Sequence, residues 1–283
     1  MNPAYITDGY KIGHKQMYPK GTSFVFSNFT PRSTRRDKCD GVTWFGLQGF
    51  IKSYLIDYWN KNFFQKPKEE ILKSYSRRIN AYLGFEVETD HIAELHDLGY
   101  LPIEIMSLPE GNLVPYKVAP MVIFSNHKNF YWLPNFLETI LSSYLWYPST
   151  TATTARLFKQ KMNEWAKKTG GNAQFVDFQG HNFGMRGTPG LEADCMADAA
   201  HLLFFKGTDT IPGIDYVEQY YNADCEKELI AMSVPATEHS ISGLQILSNT
   251  NNYFAVEEEF NEVTKEWEVK SVLNEEEYRR RSE

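Results

Sequence analysis

Apolar and polar positions change their period several times along the 283 residues. Thr22 to Phe29 alternates, with Phe24, Phe26 and Asn28 on one side and Val25, Ser27 and Phe29 on the other, which predicts a strand. From Gly46 to Phe64 the residues Leu47, Phe50, Ile51, Tyr54, Leu55 and Tyr58 recur at the spacing of an amphipathic helix. Pro67 to Leu83 opens with proline and acids and carries Ile71, Leu72, Tyr75, Ile79 and Leu83, a second helix, and His91 to Leu98 is a third. Leu101 to Leu108, Asn112 to Val118 and Met121 to Phe124 are β-rich runs broken by Pro109-Glu110-Gly111 and Ala119-Pro120, which predicts a small antiparallel sheet. Tyr131 to Trp146 and Thr153 to Lys168 read as two helices parted by Pro148, the second closed by Gly170-Gly171.

After Gly171 the pattern becomes strand, polar loop, helix: a strand over Gln174 to Phe178, a helix over Gly190 to Phe204, a lysine-bearing loop, and a helix over Gly213 to Tyr221. That alternation implies parallel strands with helical crossovers. About three such units are too few to close a barrel of eight. The expected organisation is α/β: an α+β domain over 1–171, the first part of an α/β barrel over 172–248, and an acidic insertion with the start of a further helix over 249–283. On this reading the chain stops partway through a fold.

Three polar islands end apolar runs in the second half: His181 to Gly187, Lys206 to Thr210, and Ser233 to Ser240. Loops at the carboxyl ends of parallel strands are where α/β proteins build sites. Phe183 and Arg186 flank Gly184, offering an aromatic face and a planar fork of donors for phosphate. Asp209 follows Gly207-Thr208 and can accept from a substrate amide; an Asx turn or a cap on the helix at Gly213 is equally open to it. Glu238-His239 pairs a carboxylate with an imidazole, a combination suited to attack on phosphorus, though a hydrogen-bonded structural histidine has the same appearance. Near the N-terminus Asp8, Tyr10, Lys11 and His14 crowd together, and Arg32, Arg35 and Arg36 form a basic loop that reads equally as a solvated turn. No P-loop, dinucleotide fingerprint, zinc-protease or nucleophile-elbow motif is present.

Composition narrows the class without choosing the substrate. With 42% hydrophobic residues and a formal charge of -7, the chain can pack cores and does not suit nucleic acid, while a few placed cations can still hold small anions. Three cysteines without CxxC spacing indicate neither a disulfide framework nor a zinc knuckle, so a reducing cytoplasm is the expected location. Met1 to Tyr10 lacks a signal-peptide core, and no window approaches the roughly 20 apolar residues of a membrane span. The residues alone reach as far as a phosphate-handling α/β enzyme.

Thr7 to Lys11 with His14 and Tyr18-Pro19, Leu101 to Ile105, Pro109-Glu110-Gly111, His181 to Gly187, Phe205 to Thr210, and Ser233 to Ser240 together resemble the nicotinamide phosphoribosyltransferases in order and spacing. The resemblance implies a type II phosphoribosyltransferase fold, an N-terminal α/β domain followed by an irregular α/β barrel. It implies transfer of phosphoribosyl from phosphoribosyl pyrophosphate to nicotinamide, releasing pyrophosphate and forming nicotinamide mononucleotide for NAD salvage. Phe183 and the partner subunit's Tyr10 would sandwich the ring in a homodimer, with Asp8 beside Tyr10 in the substrate-binding motif. Asp209 would accept from the carboxamide, and Arg186 and Arg32 would contact the phosphates. His239, with Glu238, would carry the phosphoryl group when ATP is coupled, and Mg²⁺ would accompany phosphoribosyl pyrophosphate and ATP. Two positions depart from the family: it usually has Asp where this chain has Asn182, and often an aromatic where Met185 stands.

The family continues past the equivalent of His239 with the rest of its barrel and the carboxylates that position ribose and metal. The resemblance therefore implies an N-terminal part whose activity needs a complementary polypeptide, with no metal ligand of its own. Two other readings are a nicotinate phosphoribosyltransferase and a non-catalytic fragment that binds a full-length subunit.

Overall fold

The computed structural model describes residues 1–36, 39–251, 254–261 and 264–273. The chain forms two compact units, one from Met1 to Ser233 and a second beginning at Val234.

The first unit starts with an irregular segment and a short helix α1 (His14–Met17), followed by strands β1 (Phe26–Phe29) and β2 (Gly41–Thr43). A single helical rod then covers the span that the spacing from Gly46 to Phe64 predicts. It begins as α2 (Leu47–Phe50) and continues as wider π turns over Ile51–Tyr58 and Asn60–Phe64. Helices α3 (Lys68–Leu83) and α4 (Asp90–Leu98) follow, each closed by a left-handed glycine, Gly84 and Gly99. Ile71, Tyr75 and Ile79 of α3 and Ile92 and Leu95 of α4 turn inward, as their periodicity requires.

Strands β3 (Ile103–Ser107), β4 (Leu113–Pro115) and β5 (Met121–Ser125) form where the β-rich runs lie, but they do not make one sheet. The three-stranded sheet has the order β1-β5-β3, all antiparallel, and β4 pairs with β2 instead. Gly41 brings the β2 backbone so close to the Val114 carbonyl that no side chain would fit between them.

Helix α5 (Leu133–Thr169) replaces the two helices expected around Pro148 with one helix of 37 residues. Proline leaves the Tyr144 carbonyl without its helical partner. Gly46, at φ 107°, sits over that carbonyl and the Pro148 ring, where a Cβ would lie 2.5 Å from Pro148 Cγ. On the next turn the Ser149 hydroxyl accepts from Phe45 N at 3.2 Å and Thr153 Oγ1 accepts from Thr43 N at 2.9 Å. Tertiary packing thus carries the helix through a residue that would end it in isolation. Gly170, at φ 72°, ends the helix as the sequence predicts.

The strand expected over Gln174 to Phe178 is helical: a 3₁₀ turn at Ala173–Phe175, started by the Asn172 side chain on Gln174 N at 2.9 Å, runs into α6 (Val176–Gln179). The strand comes later, as β6 (His181–Asn182), and is followed by α7 (Leu191–Leu202), β7 (Gly207–Thr208) and α8 (Pro212–Tyr221). β6 and β7 are parallel, and Gly207 forms a parallel bridge to Met232. The expected strand–helix–strand alternation is therefore present, in an α/β fold.

Two clusters of buried side chains organise this unit. The larger joins the N-terminal segment, α2 to α4 and the first half of α5 through Trp44, Phe50, Trp59, Tyr75, Leu137 and Leu145 among others. The smaller joins Phe45, Ala152, Ala199 and Ala200, with Tyr216 and Tyr221 packed against it.

The second unit contains α9 (His239–Asn251) and an antiparallel hairpin of β8 (Phe254–Asn261) and β9 (Glu266–Leu273), turned through Lys265 at φ 61°. The hairpin occupies the stretch read from sequence as an acidic insertion, and the helix start expected at Glu275 to Glu283 lies outside the described residues. Among the described residues no helix is long and apolar enough to cross a membrane.

Candidate functional site

The parallel ladder at β6, β7 and Met232 fixes the site, because it brings the ends of three sequence-distant segments to one edge. Thr208 N donates to Met232 O at 3.0 Å, Met232 N to Lys206 O at 2.7 Å, and Asp209 N to Asn182 O at 3.0 Å. Phe183, Asp209 and Ser233 then emerge side by side.

Asp209 is the hub. His181 Nε2 lies 2.8 Å from its Oδ1, and the Ser233 hydroxyl donates to the same oxygen. The Ser233 hydrogen bond, and after it that of His181, hold the carboxyl below the usual carboxylate range, so it is an anion at neutral pH. Of the two structural uses left open by the sequence, the cap on α8 is not the one observed, since the first turn of α8 takes no side-chain cap. The His181 ring also lies 4.5 Å from the Phe183 ring at an interplanar angle of 33°. Phe183 is 62% exposed, leaving a free aromatic face beside a fixed anion. Gly207 makes the imidazole's position possible, because a Cβ there would stand 2.8 Å from His181 Nδ1.

Behind this edge lies a second layer. Asp198 of α7 is fully buried and accepts from Asn182 Nδ2 and Thr208 Oγ1, each at 2.6 Å, and burial pushes its carboxyl up to about 6. His201 Nε2 lies 2.9 Å from Gly207 O, and burial pushes this imidazole below its ordinary value. A cavity of 370 Å³ opens here, lined in part by Phe158, Met162, His181, His201 and Phe205. Arg186 is exposed, in a turn at Met185–Gly187 closed by Gly187 N on Gly184 O at 2.8 Å.

The other residues singled out in the sequence sit elsewhere in their units. Asp8 accepts from Thr139 Oγ1 of α5 at 2.6 Å. Tyr10 is 64% exposed and packs edge-on against His14, their centroids 5.1 Å apart. Lys11 beneath it is buried, bonded to Asn135 Oδ1 at 2.8 Å and paired with Glu138. Arg32 lines a separate cleft of 470 Å³ with Asn28, Thr30, Asn135, Glu138 and Ser142. In the second unit Glu238 precedes α9, its carbonyl accepting from Ser242 N at 2.9 Å and its carboxylate from the Ser240 hydroxyl, and His239 is the first residue of α9.

Sequence reasoning marked Phe183, Arg186 and Asp209 but gave no role to His181, Ser233 or Asp198. His181 and Ser233 lie inside the polar islands, and parallel pairing is the signal that would have joined them to Asp209. Among the described residues no group of three or more His, Cys, Asp or Glu side chains converges to hold a metal ion.

Residues 2–105 match a family model described as the N-terminal domain of nicotinamide phosphoribosyltransferase. The chain is 44% identical over 247 residues to a nicotinamide phosphoribosyltransferase of Acinetobacter baylyi, covering 85% of this chain and 48% of that one. It is 31% identical over 235 residues to one of Xanthomonas campestris, covering 83% and 47%. The chain therefore spans about half the length of these curated relatives. Among solved structures it resembles human nicotinic acid phosphoribosyltransferase, with a TM-score of 0.54 and 16% identity over 84% of this chain and 40% of that one, a likeness of fold alone.

Proposed function

We propose that this chain, similar to nicotinamide phosphoribosyltransferases along most of its length, supplies the nicotinamide-binding edge of such an enzyme. The observation that carries the reading is the Asp209 carboxylate, held by His181 and Ser233, with the His181 ring packed against the exposed Phe183. A pyridine carboxamide stacked on Phe183 can donate its amide N–H to Asp209, which turns the ring nitrogen away from the carboxylate and toward the sugar. Nicotinate would present a second anion to Asp209. In the reaction the ring nitrogen bonds to C1 of phosphoribosyl pyrophosphate as the C1–O bond breaks and pyrophosphate leaves with the electron pair. Arg186 and Arg32 serve to neutralise the phosphates.

Tyr10 of a partner subunit closes the ring sandwich in a homodimer, and Asp8 holds that segment to α5. His239 is the phosphoryl acceptor when ATP is coupled, oriented with Glu238. Mg²⁺ would enter bound to phosphoribosyl pyrophosphate and ATP, since the described residues gather no ligand cluster for it. The three free cysteines suit a reducing cytoplasm.

The test is calorimetric titration of the purified chain with nicotinamide and with nicotinate, repeated on D209N. Nicotinamide should bind at least about tenfold more tightly than nicotinate, with the gap narrowing in D209N. Equal affinity for the two, or preference for the acid, overturns the role of Asp209.

A further inference from the structure

Asp198 lies buried behind the two exposed loops, and its hydrogen bonds reach the base of both. Its Oδ1 accepts from Asn182, the residue before Phe183, and from Thr208, the residue before Asp209. Both donors are committed further. Asn182 Oδ1 accepts from Gly184 N at 2.9 Å, and Asn182 O accepts from Asp209 N at 3.0 Å. Thr208 Oγ1 accepts from Thr210 N at 3.0 Å. The second carboxylate oxygen of Asp198 has no hydrogen-bond partner and rests on Gly213 of α8, where a Cβ would collide with it. One buried acceptor thus ties the aromatic loop, the carboxylate loop and two helices.

The amide at 182 is assigned at both ends: its oxygen faces Gly184 N and its nitrogen faces Asp198. An aspartate there would set two carboxylates against each other across 2.6 Å in a buried layer. We infer that Asp198 is a positioning residue of this site, fixing the angle between Phe183 and Asp209 through Asn182 and Thr208, and that Asn182 and Asp198 work only as a donor–acceptor pair. What the site holds rests on the nicotinamide reading; the positioning does not.

The full chain is compared with D198A, N182D and the exchange variant N182D/D198N. In the exchange variant the amide introduced at position 198 can donate both to the carboxylate introduced at position 182 and to Thr208 Oγ1, which restores the pairing with its direction reversed. Amide hydrogen exchange is read at Asp209 and Thr210, with Ile123 of β5 as a remote control, and nicotinamide affinity is read on the same samples. D198A and N182D should speed exchange at Asp209 and Thr210 by about tenfold or more and weaken nicotinamide binding by a similar factor, with Ile123 unchanged. The exchange variant should recover most of both. Unchanged exchange at Asp209 in D198A, or in N182D where D198A does not fold, overturns the inference. So does an exchange variant no better than N182D, or equal acceleration at Ile123 in every variant, which would make Asp198 a general support of the fold. A parent chain that binds no nicotinamide overturns the ligand reading, while the exchange rates still decide the positioning.

Discussion

Replacing Gly207 with alanine puts a methyl group where the site has none to spare. Gly207 is buried in β7, and its φ lies outside the left-handed region, so the substitution strains space and not backbone conformation. The new Cβ would stand 2.8 Å from His181 Nδ1, 3.2 Å from Phe178 O and 3.3 Å from Gly180 O. The carbonyls belong to fixed backbone, so the imidazole must give way. Overpacking of this kind costs about 1–3 kcal/mol, offset by the roughly 0.4–1 kcal/mol that alanine gains by restricting the unfolded chain. A net loss of about 1–2 kcal/mol is expected in urea unfolding. The functional loss should be larger in proportion, because pushing Nδ1 swings Nε2 away from Asp209 and shifts the ring that Phe183 packs on. Nicotinamide titration of G207A should show affinity reduced by about tenfold or more. Stability within about 0.5 kcal/mol of the parent together with unchanged affinity would refute this account of the glycine.

Gly46→Ala should destabilise the chain by about 2–4 kcal/mol in urea unfolding, since it combines a left-handed residue with a clash on Pro148. Burial lowers the His91 imidazole from 6.5 to about 4, so the unfolded chain binds the extra proton between those values and stability falls by about 3 kcal/mol as pH drops through them. Asp198 acts in the opposite sense: its carboxyl is raised from 3.8 to about 6, so its contribution is greatest below 3.8 and is lost as pH rises through 6. Urea midpoints at pH 5 and 7 should therefore diverge in H91Q and D198N, the first losing the acid-side penalty and the second the alkaline-side one; parallel profiles for parent and variants would count against both shifts. Ser233→Ala should let the Asp209 carboxyl titrate closer to its ordinary value, read by carbon NMR of the side chain, because the largest cause of its depression is removed.

Periodicity located α2 to α4, the two halves of α5, α7 and α8, because burial of one face is a local property of the sequence, and it missed α1, α6 and α9. It failed where a distant segment decided the outcome. Pro148 reads as a break, yet α5 stays continuous where Gly46 sits over the proline ring and the Ser149 and Thr153 hydroxyls accept from Phe45 N and Thr43 N, about a hundred residues earlier. The run at Leu113–Pro115 has strand character, but the choice of β2 as partner depends on Gly41. In the site, Phe183 and Asp209 were legible as an aromatic and an acid after glycine-bearing turns. The joint hold of His181 and Ser233 on Asp209 was not, since it exists only once Met232 aligns with Gly207.

α5 is a wall of both hydrophobic clusters: Leu133, Leu137, Leu141 and Leu145 face the larger, and Ala152, two turns on, faces the smaller. Neither cluster can dissolve without stripping cover from a helix that the other also needs. Heat or urea should accordingly take residues 1–233 apart in one cooperative step, and a break in the helix near Pro148 would let each half melt on its own terms.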